Sequence, residues 1–200
     1  MSQMFFELKQ TAQYILEELT HLGQLSSGFS TRSGIMCKPG CGACCAKPLG
    51  VWATPAEMLP MAWQLFEEGQ TSESLRLLAD SKAKDVCLVY EATDPSGQQG
   101  RCGRYKFRPT VCILFGSGMR PKKMTGHEFM GCNWQHRHFA QEIHAVESGS
   151  SGEAYDSRAL TAKIRSISPD PKLAMEAPVN EALITALEMI EFNDQFVTLK

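Results

Sequence analysis

Cys37-Lys38-Pro39-Gly40-Cys41-Gly42-Ala43-Cys44-Cys45 is the stretch that decides how this chain reads. The linkers Lys38-Pro39-Gly40 and Gly42-Ala43 let the backbone curl, so several thiolates can face one point at little cost in loop-closure entropy. Loops of this kind also aim backbone N–H groups at sulfur, which stabilises its negative charge. The remaining cysteines, Cys87, Cys102, Cys112 and Cys132, are scattered but stand beside turn signals. Together the eight would complete one or two tetrahedral sites or a polynuclear cluster. Cys44 and Cys45 are adjacent, and neighbouring side chains diverge on a regular backbone. Cys45 therefore serves a second metal, serves a polynuclear cluster, or is not a ligand. Cys87, between Val86 and Leu88, also suits a small apolar core position.

Eight cysteines in 200 residues is the one unusual feature of the composition. Apolar residues make up 43% and charged residues 21%, ordinary values for a globular protein. The net charge of −2 gives no electrostatic argument for nucleic acid or an anionic membrane surface. The first residues carry Glu7, Lys9, Glu17 and Glu18 and no basic-then-apolar leader pattern, and no stretch has the apolar length of a membrane span. The expected setting is a reducing cytoplasm, where thiols stay thiols unless a metal claims them. That disfavours four disulfides.

Outward from the cysteine loop, the pattern is mainly α: a small helical domain around a cysteine-rich loop with one short β-hairpin. Residues 1–200 read as a single domain, with a metal-binding module at about 34–135. Phe5, Leu8, Ala12, Ile15, Leu16, Leu19 and Leu22 predict an amphipathic helix over 3–22, ended by Gly23 and Ser26-Ser27-Gly28. Residues 30–50 read as a loop. Thr54-Pro55-Ala56-Glu57 is a capping box with proline at the first helical position, opening a helix that stops at Gly69. A third helix is expected over 72–84. Val86–Tyr90 and Cys102–Tyr105 are candidate strands of a hairpin around Asp94-Pro95-Ser96-Gly97. Residues 113–131 look irregular and 133–146 helical. Residues 147–152 read as a flexible connection. Further helices are expected over 154–166 and 178–196.

The order of these features resembles a known family. Cys37-x3-Cys41-x2-Cys44-Cys45 comes first, then a glutamate-bearing helix at Glu57. Cys87-Leu88, Cys102-x2-Tyr105 and Arg108-Pro109-x2-Cys112 follow. The chain is similar over about Cys37 to Cys132 to the YkgJ-type cysteine-cluster proteins, whose CxxCxxCC domain is described as zinc- or iron-chelating. Ile113 stands where that family often has arginine. The resemblance implies metal binding, without a reaction. The spacing of Cys37, Cys41 and Cys44 also looks like the radical-SAM signature. However, no run of βα units follows, Ala43 replaces the usual aromatic residue, and Cys45 would have no role.

Arg101, Arg104, Lys106 and Arg108 crowd the second group of cysteines. A thiolate-bound zinc ion or four-iron cluster carries net negative charge that cations offset. Arg108 is the best placed of them, because Pro109 biases it to an extended conformation. Tyr105 either donates its hydroxyl to a sulfur or packs. Arg101 and Lys106 read as a solvated face, as do Arg120, Lys122 and Lys123. Cys132-x3-His136 is a further mixed pair, but a helix-face histidine such as His136 packs or meets solvent more readily than it ligates.

Three function classes follow. The first is a carrier of an iron–sulfur cluster, of the 4Fe–4S type, which the adjacent cysteines and the spacing of Cys37, Cys41 and Cys44 favour over zinc. The second is a structural zinc module that binds a protein partner. The third is an iron–sulfur-dependent protein-modifying enzyme, such as a lysine N-methylase. The resemblance suggests it because a flagellin lysine N-methylase carries a similar module. Its pocket would be lined by Glu57, Tyr105 and Arg108.

Overall fold

The computed structural model describes residues 3–47, 50–79, 86–97, 99–122, 126–149, 157–168 and 170–198. The fold is mainly α. Helix α1 spans Gln3–Ser33, and α2 is a single turn at Ala43–Ala46. Helix α3 covers Pro55–Glu67 and α4 Thr71–Ala79. The short α5 (Thr110–Leu114) follows a 3-10 turn at Tyr105–Phe107. Helices α6 (Asn133–His138) and α7 (Ala140–Glu147) come next, then α8 (Ser157–Arg165), α9 (Pro171–Ala174) and α10 (Val179–Thr198).

Among the described residues there are three two-stranded antiparallel sheets, not one. Strands β2 (Tyr90–Ala92) and β3 (Gly100–Cys102) form the expected hairpin, shifted toward its turn: Tyr90 pairs with Cys102 and Ala92 with Gly100. Strands β4 (Met119–Pro121) and β5 (His127–Phe129) form a second hairpin in the segment expected to be irregular. Strands β1 (Trp52–Ala53) and β6 (Ala177–Pro178) join residues far apart in the chain.

The first helix is longer than its glycines suggest. It passes through Gly23 and Gly28 to Ser33. The buried positions Phe5, Leu8, Ala12, Ile15, Leu19 and Leu22 continue at the same spacing to Phe29. Burying one aromatic ring outweighs the ~1 kcal/mol that a glycine costs inside a helix. Gly34, at φ 75°, supplies the left-handed residue after the last turn. Helix α3 begins as expected. Thr54 Oγ1 accepts from Glu57 N, and Glu57 Oε2 accepts from Thr54 N at 2.8 Å. Gly69, at φ 68°, follows its end. The expected third helix is described to Ala79. The rest of it lies outside the described residues, as do positions 150–152 of the connection and 154–156 of the next helix. The single helix expected over 133–146 is two, broken at Phe139.

Two cores result. The larger joins α1, α3 and α10, with Leu78, Ile113, Leu114, Ile164 and Leu173 from α4, α5, α8 and α9. The smaller gathers Phe29, Ile35, Met119, Phe129, Ile143 and Val146, from the end of α1, the β4–β5 hairpin and α7. No described helix is long and apolar enough to cross a membrane.

Because Gly23 sits mid-helix, with nothing within 4 Å of where a Cβ would be, Gly23→Ala should stabilise the protein by about 0.5–1 kcal/mol in urea unfolding. A loss of stability would contradict a continuous helix there.

Candidate metal centre

The cysteine loop hangs between the two cores. It leaves α1 at Gly34, and Ile35 plugs into the smaller core. Cys37 follows two residues later. Cys41 N closes a turn on Lys38 O at 3.2 Å. Gly42, at φ 55°, then opens α2, where Cys45 N and Ala46 N both bond Gly42 O at 2.9 Å. Cys44 and Cys45 therefore sit on a helical turn rather than in an irregular loop.

The loop is seated on the β2–β3 hairpin by close backbone approach. Gly100 N donates to Gly40 O at 3.1 Å. A Cβ on Gly42 would lie 2.7 Å from the backbone carbonyl of Gly100 and from the Tyr90 ring. A Cβ on Gly100 would lie 2.4 Å from Glu91 O. Only glycine lets these backbones meet, and their contact brings the first cysteine group to Cys102 at the end of β3. Cys45 O accepts from Cys87 N at 2.9 Å, which ties in a third segment.

Each other cysteine stands beside a core anchor. Cys87 precedes Leu88 and Val89, which pack on the larger core, and Cys112 precedes its buried Ile113 and Leu114. Cys132 caps α6 and follows Phe129 of the smaller core by three positions. Two buried amides unforeseen in the sequence hold these pieces. Gln135 Oε1 accepts from Cys132 N at 3.1 Å, while its Nε2 reaches Met36 O at 3.4 Å and Gly116 O at 3.5 Å. Asn180, at the start of α10, bonds the backbone on both sides of Cys87. Asn180 acts across more than ninety residues of chain and Gln135 reaches Met36 across 99, while its local bond to Cys132 is a capping box opened by a cysteine in place of the usual hydroxyl or carboxylate residue.

All eight cysteines are free thiols, with Cys37 and Cys44 exposed and the others half-buried. Their charges are mutually felt. Burial, then Cys44, Cys132 and Cys41, push the Cys37 thiol up. The Cys45 thiol donates to the Cys44 sulfur, which holds Cys44 down at about 6 and drives Cys45 far up. Burial raises Cys87 to about 11 and also raises Cys102 and Cys112, with neighbouring thiolates adding to it. Backbone N–H groups favour the thiolates: those of Lys38, Val89 and Arg104 oppose the rise at Cys37, Cys87 and Cys102, and those of Cys44 and Cys45 add to the fall at Cys44.

Of the four nearby cations, two are spent on carboxylates. Arg101 pairs with Glu91 at 2.9 Å, and Arg104 binds Glu68 and Gln70. Lys106 lies 5.8 Å from the centre of the Phe107 ring. The positive charge of Arg108 lowers Cys44, Cys102 and Cys112 against the effect of burial. Its conformation is extended (φ −63°, ψ 137°). Its guanidinium lies 3.4 Å from the centre of the Tyr105 ring, and Nη1 donates to Cys112 O at 3.2 Å. Tyr105, 66% exposed, packs beneath Arg108.

Glu57 is fully enclosed. It accepts from Thr54 N, Thr54 Oγ1 and Thr110 N, and lies 3.6 Å from Arg165 of α8. These contacts fix the start of α3 to the start of α5 and offer nothing to a substrate. His136 is exposed and meets the edge of the Phe129 ring.

A family model named CxxCxxCC, described as "Putative zinc- or iron-chelating domain", matches residues 36–138, just over half of the chain. The chain belongs to the CxxCxxCC family. The matched segment holds all eight cysteines, and membership supports binding of zinc or iron. No curated protein and no solved structure matches the chain. The donor set suits those metals: soft thiolates, crowded together, with N–H groups turned to the sulfurs. Among the described residues, no three Cys, His, Asp or Glu side chains are already set to hold one ion.

Gly42→Ala should lower stability by at least about 1–2 kcal/mol, from the left-handed backbone alone, and should reduce metal content. Gly40→Asn should cost less, because nothing lies within 4 Å of a Cβ at Gly40 and asparagine accepts its left-handed backbone (φ 65°) better than most residues. Thermal melts and metal analysis of both variants check this. Equal effects would contradict the seating on Gly100.

Proposed function

We propose that the chain holds a polynuclear metal centre in the thiolates of Cys37, Cys41, Cys44, Cys45, Cys87, Cys102, Cys112 and Cys132. An iron–sulfur cluster, of the 4Fe–4S type, stands ahead of zinc, and the chain is of the YkgJ type and cytoplasmic. The observation that carries this reading is the backbone contact between the cysteine-bearing segments: Gly100 N on Gly40 O at 3.1 Å and Cys87 N on Cys45 O at 2.9 Å. These bring the Cys37–Cys45 turn to Cys102 and to Cys87, which is more thiols than a single tetrahedral ion uses. An iron–sulfur cluster, when bound, supplies one-electron redox chemistry.

The chain's own residues do the rest. The Gly40–Gly42 turn and α2 present the first four thiolates, and the hairpin and α5 present the others. Backbone N–H groups bond the sulfurs. Arg108, braced by Tyr105, offsets the negative charge of a thiolate centre from one side. The enclosure of Glu57 weighs against the enzyme reading that would have used it. Zinc remains the second reading, since the family description names it beside iron.

Protein purified without air should contain iron and acid-labile sulfide in similar amounts. Two zinc ions per chain without sulfide would select zinc instead, and absence of both metals would overturn the proposal. The raised thiols also set a sign for pH. Cys87 is protonated at neutral pH, so binding a metal there displaces a proton. Zinc affinity of the metal-free protein should therefore rise with pH, about tenfold per unit for each proton released. A flat profile between pH 6 and pH 8 (approximate limits of a convenient window) would contradict displacement of thiol protons.

A further inference from the structure

Asn180 lies beyond the segment that the family model matches, which ends at residue 138. It occupies the first turn of α10 and is only 5% exposed. Its Oδ1 accepts from Leu88 N at 3.1 Å, and its Nδ2 donates to Val86 O at 2.8 Å. The residue between those two contacts is Cys87. Cys87 N donates to Cys45 O at 2.9 Å, and Cys87 O accepts from Tyr90 N at 3.0 Å. Every peptide group around Cys87 is thus fixed: on one side by the cysteine turn, on the other by a side chain of the last helix. Helix α10 is itself anchored, through Val179, Ala182, Leu183 and Ala186 in the larger core and Val179 N on Val51 O at 3.0 Å.

We infer that Asn180 is a positioning residue for the metal centre, a buried amide that aims Cys87 at the other thiolates and makes α10 part of the metal-binding unit. This rests on the thiolate reading above. A clamp on the backbone of a ligand fixes the direction of its Cα–Cβ bond. Loss of such support behind a ligand weakens metal binding without removing a donor atom. Farther along, the β2–β3 hairpin takes over the restraint, where Val89 O accepts from Gly103 N at 2.8 Å.

The test uses the full chain, metal-free and without air, titrated with cobalt(II), whose thiolate charge-transfer band reports sulfur ligation. Asn180→Leu keeps the size of the side chain and removes both bonds. Its cobalt affinity should fall roughly ten- to a hundred-fold, with a weaker band per cobalt. Asn180→Asp keeps the acceptor for Leu88 N but loses the donor to Val86 O, and should fall between. Asn193→Leu is the control: an equally buried amide on the same helix, whose Nδ2 bonds Met189 O at 2.7 Å and does not reach Cys87. It should leave affinity and band unchanged, even if the melting temperature drops. Wild-type affinity and band in Asn180→Leu, or an equal loss in Asn193→Leu, would overturn the inference and leave the thiolate reading standing. Absence of the band in the unaltered chain would remove both. Should Asn180→Leu not fold, Asn180→Asp decides by the same readouts.

Discussion

Gathering eight thiols within electrostatic reach of one another is unfavourable for the chain alone. As thiolates they repel, and as thiols several are half-buried with little to bond. A cation or cluster at their centre changes the sign of that interaction. The surrounding architecture serves to hold the crowd in place despite the cost. The glycine contact between residues 42 and 100 closes the first cysteine turn on the hairpin. The carbonyl of Cys45 draws in Cys87, and Arg108 supplies positive charge that lowers Cys44, Cys102 and Cys112. Arg101 and Arg104, close in sequence, are held by Glu91 and by Glu68 with Gln70.

The helices outside the cysteine-rich segment are not passive packaging. Helix α1 contributes to both cores and delivers the chain to Cys37, through Phe29 and Ile35 in the smaller core. Glu57 links α3 to α5 and to Arg165, so one buried carboxylate connects three elements that flank the thiols. Such a carboxylate is tolerated because all its contacts are donors or a cation. It also explains why a glutamate here needs no catalytic role.

What the sequence disclosed was whatever is decided locally. The capping box at Thr54 and Glu57 was legible because the cap and its partner lie three residues apart. The extended state of Arg108 was legible because Pro109 restricts it. The cysteine turn was recognisable from its glycines and spacing. The length of α1 was not, because Gly23 and Gly28 look like stops and only the burial of Phe29 by distant residues overrides them. The β4–β5 hairpin was hidden in three-residue strands too short to show alternation. The helical turn that carries Cys44 and Cys45 was read as loop, because it is four residues long and opened by a left-handed glycine. Asn180 was invisible because its partners are backbone atoms more than ninety residues away, and Gln135 because its capping box opens on a cysteine.

The account's central claim concerns sulfur around a metal. X-ray absorption at the iron or zinc edge of anaerobically purified protein addresses it most directly. The expected result is a first coordination shell dominated by sulfur at about 2.3 Å. A shell of nitrogen and oxygen, with sulfur a minor part, would contradict it.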